Sequence, residues 1–442
     1  MERWKWLYPG MRVKRWLFLM IVGTFLIGLG ITILFNTQLL TAAEGKMLWF
    51  VSTYIQFADW AAGFLIIILG IFTVGLGMRL TIRSLVGALS PADVSNLAEV
   101  VYRKRSLQKG PHIVVIGGGT GLSTLLRGLK DYSSNITAIV TVADDGGSSG
   151  RIREQLGILP PGDVRNTLVA LADTEPLMEK LFQYRFSWGE GLSGHSFGNL
   201  FIAAMTDITG DFEIAIREFS KVLAVRGRVI PSTLDAVTLK AKYTDGTEMS
   251  GESKIPQEGK RIKRITLEPV DAEALPEALE ILETADLVVL GPGSLYTSLI
   301  PNLLVRPISE ALATTKAPRI YVCNVMTQPG ETDGMNASDH ISAILQHTGG
   351  AMIMDYVLVN SARISGEQAR KYQEQNAHAV RYDLDGLRKL GVTPIARPLL
   401  GRFNLVRHDS HVLAREIMKQ AFKAQGISGR GKSITLRFKG DK

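Results

Sequence analysis

No charged residue falls between Arg15 and Glu44, and Trp16–Phe35 inside that interval is almost wholly apolar. A helix rises about 1.5 Å per residue, so about 20 residues cross a hydrocarbon core of roughly 30 Å. A second charge-free run, WAAGFLIIILGIFTVGLGM, fills the interval between Asp59 and Arg79. A chain with two such runs must bury them in lipid or in its own core. Tryptophans border the runs (Trp4, Trp6, Trp16, Trp49, Trp60), as in an interfacial aromatic belt. Glycines inside both (Gly23, Gly28, Gly30; Gly70, Gly75, Gly77) permit close helix–helix approach.

The flanks set an orientation. Arg3, Lys5, Arg12, Lys14 and Arg15 precede the first run; Arg79, Arg83 and Arg103–Arg105 follow the second. The connecting segment carries only Glu44, Lys46 and Asp59. By the positive-inside rule both ends are cytoplasmic. Residues 1–80 are therefore expected to form a transmembrane helical hairpin in the cytoplasmic (inner) membrane, with spans at about 16–35 and 60–78. A signal peptide cleaved near Thr41-Ala42-Ala43 is the alternative, but the second span follows at once. Two buried core helices are the other, and the flanking charges and tryptophans argue against them. Residues 81–110 read as a cytoplasmic, amphipathic and basic linker, broken at Ser90-Pro91, whose YRKR cluster suits either anionic lipid or water.

Charge then separates the two parts of the chain. The net charge is +8; residues 1–110 hold 12 basic and 5 acidic side chains, leaving the rest at +1. The larger part thus shows no basic face of the nucleic-acid-binding kind. One cysteine, Cys323, excludes an internal disulfide. It lies in the apolar run RIYVCNV and reads as core.

From Pro111 short apolar runs alternate with helical periodicity. Strands are expected at Ile113–Ile116, in ITAIV, and at Ala285–Leu290, Arg319–Val325, Tyr356–Asn360 and Ala379–Tyr382. Helical patterns at Ala272–Glu283, Arg306–Thr315, Ser338–His347 and Glu367–Gln375 separate the later strands. This predicts an α/β, Rossmann-like, doubly wound and mainly parallel sheet over residues 111–427, with a basic tail at 428–442. Alternation around Asp245-Gly246 predicts a β-hairpin insertion within Leu234–Leu267.

The polar motifs fall where strands end, which is where ligands gather in such sheets. Gly117–Gly121, with Gly118, Gly119, Thr120 and Gly121, can bring backbone amides to a phosphate, or be a plain tight turn. Leu122 occupies the place of the last glycine of GxGxxG, so the dinucleotide fingerprint is absent and an NAD-dependent oxidoreductase is disfavoured. Asp144 and Asp145, followed by Gly147 and Ser148, could hold Mg²⁺ or a ribose hydroxyl. Asp163 reads as a helix N-cap or a ligand contact, and Arg165 and Asn166 sit in a first turn where a phosphate would explain a cation. His195 is a candidate acid, base or phosphate donor, with Asn199 at the next helix start. Gly291, Gly293, Ser294 and Tyr296 form a second glycine loop, and Asn324 and Thr327 end the next strand. No HExxH or kinase signature is present.

The stretches IVVIGGGTGLSTLLRGLKDY, ITAIVTVADDGGSSGRIR, PPGDVRNTLVALAD, GLSGHSFGNL, GPGSLYTSLIPNLLV and CNVMTQPGETDG closely resemble the bacterial gluconeogenesis-factor proteins of the YvcK type. That group shares a superfamily with the phospho-lactate transferases of the CofD type. The resemblance covers about residues 111–425 and omits the N-terminal hairpin. It implies a CofD-like domain that binds a UDP-sugar, typically UDP-N-acetylglucosamine, with a role in cell shape and cell-wall precursor metabolism during gluconeogenic growth. It also implies self-association and a cell-wall or metabolic partner protein. In the transferase branch aspartates near the glycine loop hold Mg²⁺, which makes Asp144 and Asp145 the matching residues. ARKYQEQNA and NLVRHDS resemble late segments of the UDP-sugar branch and point to Tyr372 and Arg407. The leading expectation is a membrane-anchored UDP-sugar-binding regulator; the alternative is a Mg²⁺-dependent phosphoryl or phosphoester transferase with Asp144, Asp145 and His195 as candidate catalytic residues.

Overall fold

The structure, a computed structural model, describes residues 14–35, 59–89, 97–173, 176–401 and 406–424. The connecting segment between the two apolar runs and the basic tail lie outside the described residues. The chain divides into two units, Met1–Lys104 and Arg105–Lys442.

The first unit holds two helices, Lys14–Phe35 and Asp59–Leu89. Both are long and apolar enough to cross a membrane, over Arg15–Leu34 and Ala61–Ser84. The second continues past Met78 to Leu89, into the segment expected to be linker. Glycines set how closely they pack. A Cβ on Gly23 would lie 2.9 Å from the Gly70 carbonyl oxygen, and one on Gly70 2.8 Å from that of Gly23. Gly30 and Gly63 face each other in the same way. Gly28 and Gly75 have open space around them. Gly70→Leu is therefore expected to force the helices apart at a cost of about 2–3 kcal/mol, while Gly75→Leu is nearly silent. Bismaleimide cross-linking between Met20→Cys and Val74→Cys should drop in the first variant only; Cys323 is buried and adds no background.

In the second unit seven parallel strands order as β10-β9-β8-β7-β1-β2-β3. They are β1 (Ile113–Gly117), β2 (Ile136–Val140), β3 (Arg228–Pro231), β7 (Leu287–Leu290), β8 (Arg319–Val322), β9 (Tyr356–Asn360) and β10 (Thr393–Arg397). Every residue of β1, β2 and β7 is buried, so helices or loops cover both faces, as continuous apolar runs require. The helix Gly119–Leu129 buries Leu122, Leu125, Leu126 and Leu129 on one stripe.

Two strand expectations change. Ala379–Tyr382 is not a sheet strand: Ala379 makes a single antiparallel bridge to Met326, and Val380 donates to the Val325 carbonyl. The outer strand is β10, which Pro394 disguises in the sequence; an edge position tolerates that proline. Short β3 was not anticipated. The insertion is larger than a hairpin. The Asp245-Gly246 turn does join β4 (Thr238–Tyr243) to β5 (Glu248–Ser250), with Gly246 at φ +84°. However, β6 (Ile262–Glu268) pairs along the other side of β4, giving a three-stranded antiparallel sheet.

Candidate functional site

β1 lies between β2 and β7. The chain steps from β1 outward to β2 and β3, then returns to β7 and proceeds the other way. This reversal opens a crevice beyond the carboxyl ends of β1 and β7. The two glycine loops leave those two ends. Gly119 has φ +68° and Gly291 φ +72°, conformations that favour glycine. The loops touch: a Cβ on Gly121 would lie 2.8 Å from the Pro292 carbonyl oxygen, and one on Gly293 2.9 Å from that of Gly118.

Between them lies a cavity of about 380 Å³. Gly119, Thr120, Gly121, Gly293 and Ser294 form its loops, Asn324 and Thr327 its far side. Tyr372 and Arg407 close it from late in the chain. The Tyr372 hydroxyl accepts from the Val406 N–H at 3.1 Å, so it also fixes the segment that carries Arg407. Arg407 itself is exposed and open to a ligand. Asn324, expected to read a base or sugar, spends its amide on the loop: Nδ2 donates to the Gly293 carbonyl and Oδ1 accepts from the Gly293 N–H. Tyr296 is away from the cavity, buried with its ring edge-on to His347. Behind the second loop the Ser294 hydroxyl donates to Gln328, and Gln328 donates to buried Glu331. Burial pushes the Glu331 carboxyl up to about 7, although Thr297 and the Tyr296 N–H donate to it.

An acidic group adjoins the first loop. Asp163 is not an N-cap: the helix is Gly162–Leu171, and the Asp163 carboxylate accepts from the Gly119 N–H at 3.0 Å. It fills the place where a Gly118 side chain would begin. Asp144 accepts from the Gly146 N–H, and Asp145 from the Ser253 N–H. The latter bond ties the three-stranded insertion to the site and brings in Glu252, which the sequence did not single out. Burial, then the nearby Asp144 charge, pushes Asp163 up to about 7 and Glu252 up to about 8. Among the described residues no three His, Cys, Asp or Glu side chains form a ready metal cluster. Asp144 and Asp145 nonetheless suit a Mg²⁺ that arrives with a phosphorylated ligand, because that ion commonly takes one or two carboxylates plus phosphate oxygens and water.

A third group of candidates turns inward. Arg165 donates to Ser196, Asn199 and Asn166 at 2.5, 2.6 and 2.8 Å. Asn199 donates to Ser148, and the Ser148 hydroxyl meets His195 Nδ1 at 3.1 Å. All but Asn166 are buried. Burial, with Arg151 and Arg185 nearby, lowers the His195 pKa and disfavours the imidazolium. These side chains bond one another, with the buried Arg165 Nε left without a partner, and do not line the glycine cavity, so they brace the loops that carry them. Gly147 is exposed at φ +49° with nothing near it. Cys323 is core, its thiol pushed up to about 12 by burial.

The profile of the family described as 2-phospho-L-lactate transferase CofD matches residues 113–400. The chain belongs to the CofD family. Several relatives of this chain carry the gluconeogenesis-factor name. The Bacillus subtilis gluconeogenesis factor is 53% identical over 305 residues, covering 69% of this chain and 96% of its own. A provisionally named gluconeogenesis factor of Nostoc sp. is 48% identical over 424 residues, 94% of this chain and 92% of its own. That match therefore extends into the N-terminal unit. A crystal structure of a Bacillus halodurans protein superposes with a TM-score of 0.68 at 53% identity, covering 70% of this chain and all of that one. The glycine loops of this CofD domain thus sit on a sheet with a solved counterpart.

Proposed function

We propose that this gluconeogenesis-factor relative is a membrane-anchored regulator that binds a UDP-sugar, UDP-N-acetylglucosamine by preference. The observation that carries the reading is the switch-point cavity, where two glycine loops meet and Tyr372 and Arg407 face them. Backbone amides from the loops suit a diphosphate, the Tyr372 ring offers a stacking face, and the exposed guanidinium pairs with phosphate. The hairpin would hold the domain at the cytoplasmic face of the membrane, where it reports precursor supply during gluconeogenic growth to a cell-wall partner. Titration calorimetry of the detergent-solubilised full chain with UDP-N-acetylglucosamine tests this. Arg407→Ala is expected to weaken binding at least tenfold with an unchanged melting temperature; equal affinity in both proteins overturns the assignment.

A second reading rests on the acidic group and the family's transferase name. Mg²⁺ bound with substrate would neutralise phosphate charge beside the first glycine loop. Asp144 and Asp145 would orient it, and Asp163 would hold the Gly119 amide in place. A Mg²⁺-dependent product from a nucleotide-linked substrate, lost in Asp144→Asn, would favour this over pure binding.

A further inference from the structure

A larger cavity, about 570 Å³, lies beyond the carboxyl ends of β8 and β9, next to the glycine cavity. Arg363, His378 and Arg381 stand on its wall, and the small side chains of Ala362, Ala369 and Ala379 leave its floor open. No carboxylate lines it. Among the described residues neither guanidinium has a hydrogen bond or an ion pair to its side chain, although ion pairs occupy many other arginines of the domain. Two unpaired planar forks over an apolar floor are the chemistry that takes an oxyanion on a carbon body. The volume lies within the usual range for small-ligand pockets, roughly 300–1,000 Å³.

We propose that this cavity is a separate site for a small organic anion, phosphate- or carboxylate-bearing, held by Arg363 and Arg381. Its wall toward the glycine cavity is one segment thick. Val325, Met326 and Ala377 line both cavities. Thr327, on the glycine side, donates from its N–H to the His378 carbonyl at 2.7 Å, and its hydroxyl accepts from the His378 N–H at 2.8 Å. An anion that draws Arg381 and His378 inward therefore moves the wall that carries Thr327. Occupancy of one cavity changes affinity in the other, reciprocally. The existence of the site is independent of the UDP-sugar reading; the coupling rests on it.

The test is calorimetry on the full chain with three probes, inorganic phosphate, glucose 6-phosphate and citrate, each with and without saturating UDP-N-acetylglucosamine. At least one organic probe is expected to bind wild type in both conditions, with a shifted affinity. Arg363→Ala/Arg381→Ala should weaken that probe at least tenfold and change intrinsic UDP-N-acetylglucosamine affinity less than twofold. Both arginines are exposed, so circular dichroism should show an unchanged fold. Binding of phosphate and citrate alike, without glucose 6-phosphate, would assign the site to carboxylates and free anion. No binding of any probe overturns the proposal. So does a double variant that leaves probe affinity intact. A double variant that loses UDP-N-acetylglucosamine tenfold, with no probe bound by wild type, assigns the cavity to the nucleotide-sugar itself. Probe binding without any UDP-N-acetylglucosamine binding would sink the UDP-sugar reading and leave this site standing.

Discussion

Gly121→Val is expected to lower UDP-sugar affinity at least 100-fold and stability by roughly 2–3 kcal/mol. The first Cβ atom would already lie 2.8 Å from the Pro292 oxygen, 2.9 Å from its carbonyl carbon and 3.0 Å from the Gly293 nitrogen. All three are backbone atoms, so no side chain can swing aside. The loops cannot slide either, because both leave strands whose register is fixed: Ile116 is paired with Leu290. The remaining response is to part the loops, and that turns their amides away from a shared anion. Gly147→Ala is the control. Gly147 has positive φ but open surroundings, so it should cost about 1 kcal/mol and leave affinity nearly unchanged. Denaturant titration and calorimetry on the two variants read both effects. Undiminished affinity in Gly121→Val would remove the loop contact from the binding argument.

The positions of the two glycine loops were legible because they depend on local pattern. A buried apolar run, then glycines, then a 3.6-residue periodicity places a loop at a strand's carboxyl end, and the parallel sheet gathers such ends. What the sequence concealed depends on partners far along the chain. Glu252 reaches the acidic group because Asp145 accepts from Ser253, across an insertion that reads locally as a plain hairpin. Arg165, His195, Asn199 and Ser148 have the residue types of a phosphate site, yet they bond one another. No local signal tells a guanidinium that faces a ligand from one that faces Ser196 and Asn199. Ala379–Tyr382 has strand-like residues, but its backbone groups are taken by the Val325–Thr327 segment, and β10 takes the sheet edge.

The acidic group makes a prediction in pH. Asp163 and Glu252 have folded-state pKa values of about 7 and about 8, above the usual carboxyl range. A carboxyl raised by folding binds more protons in the native than in the unfolded chain. Stability is therefore lost as pH rises from about 4 toward these values. The buried histidines act in the opposite sense: His408 is lowered to about 4 by burial, and stability from it is lost as pH falls below about 6.5. Above about pH 6.5 the histidine part is complete, and wild type should weaken toward pH 8. Asp163→Asn isolates the carboxyl part, because the amide oxygen still accepts from the Gly119 N–H while the charge beside Asp144 is removed. Its advantage over wild type should grow by about 2–3 kcal/mol between pH 5 and pH 8, read from denaturant midpoints without Mg²⁺. Added Mg²⁺ with UDP-N-acetylglucosamine should shrink that advantage if the ion sits at Asp144. An Asp163→Asn protein equally destabilised at both pH values would mean that Asp163 is charged in the fold and stabilises the first glycine loop as a carboxylate.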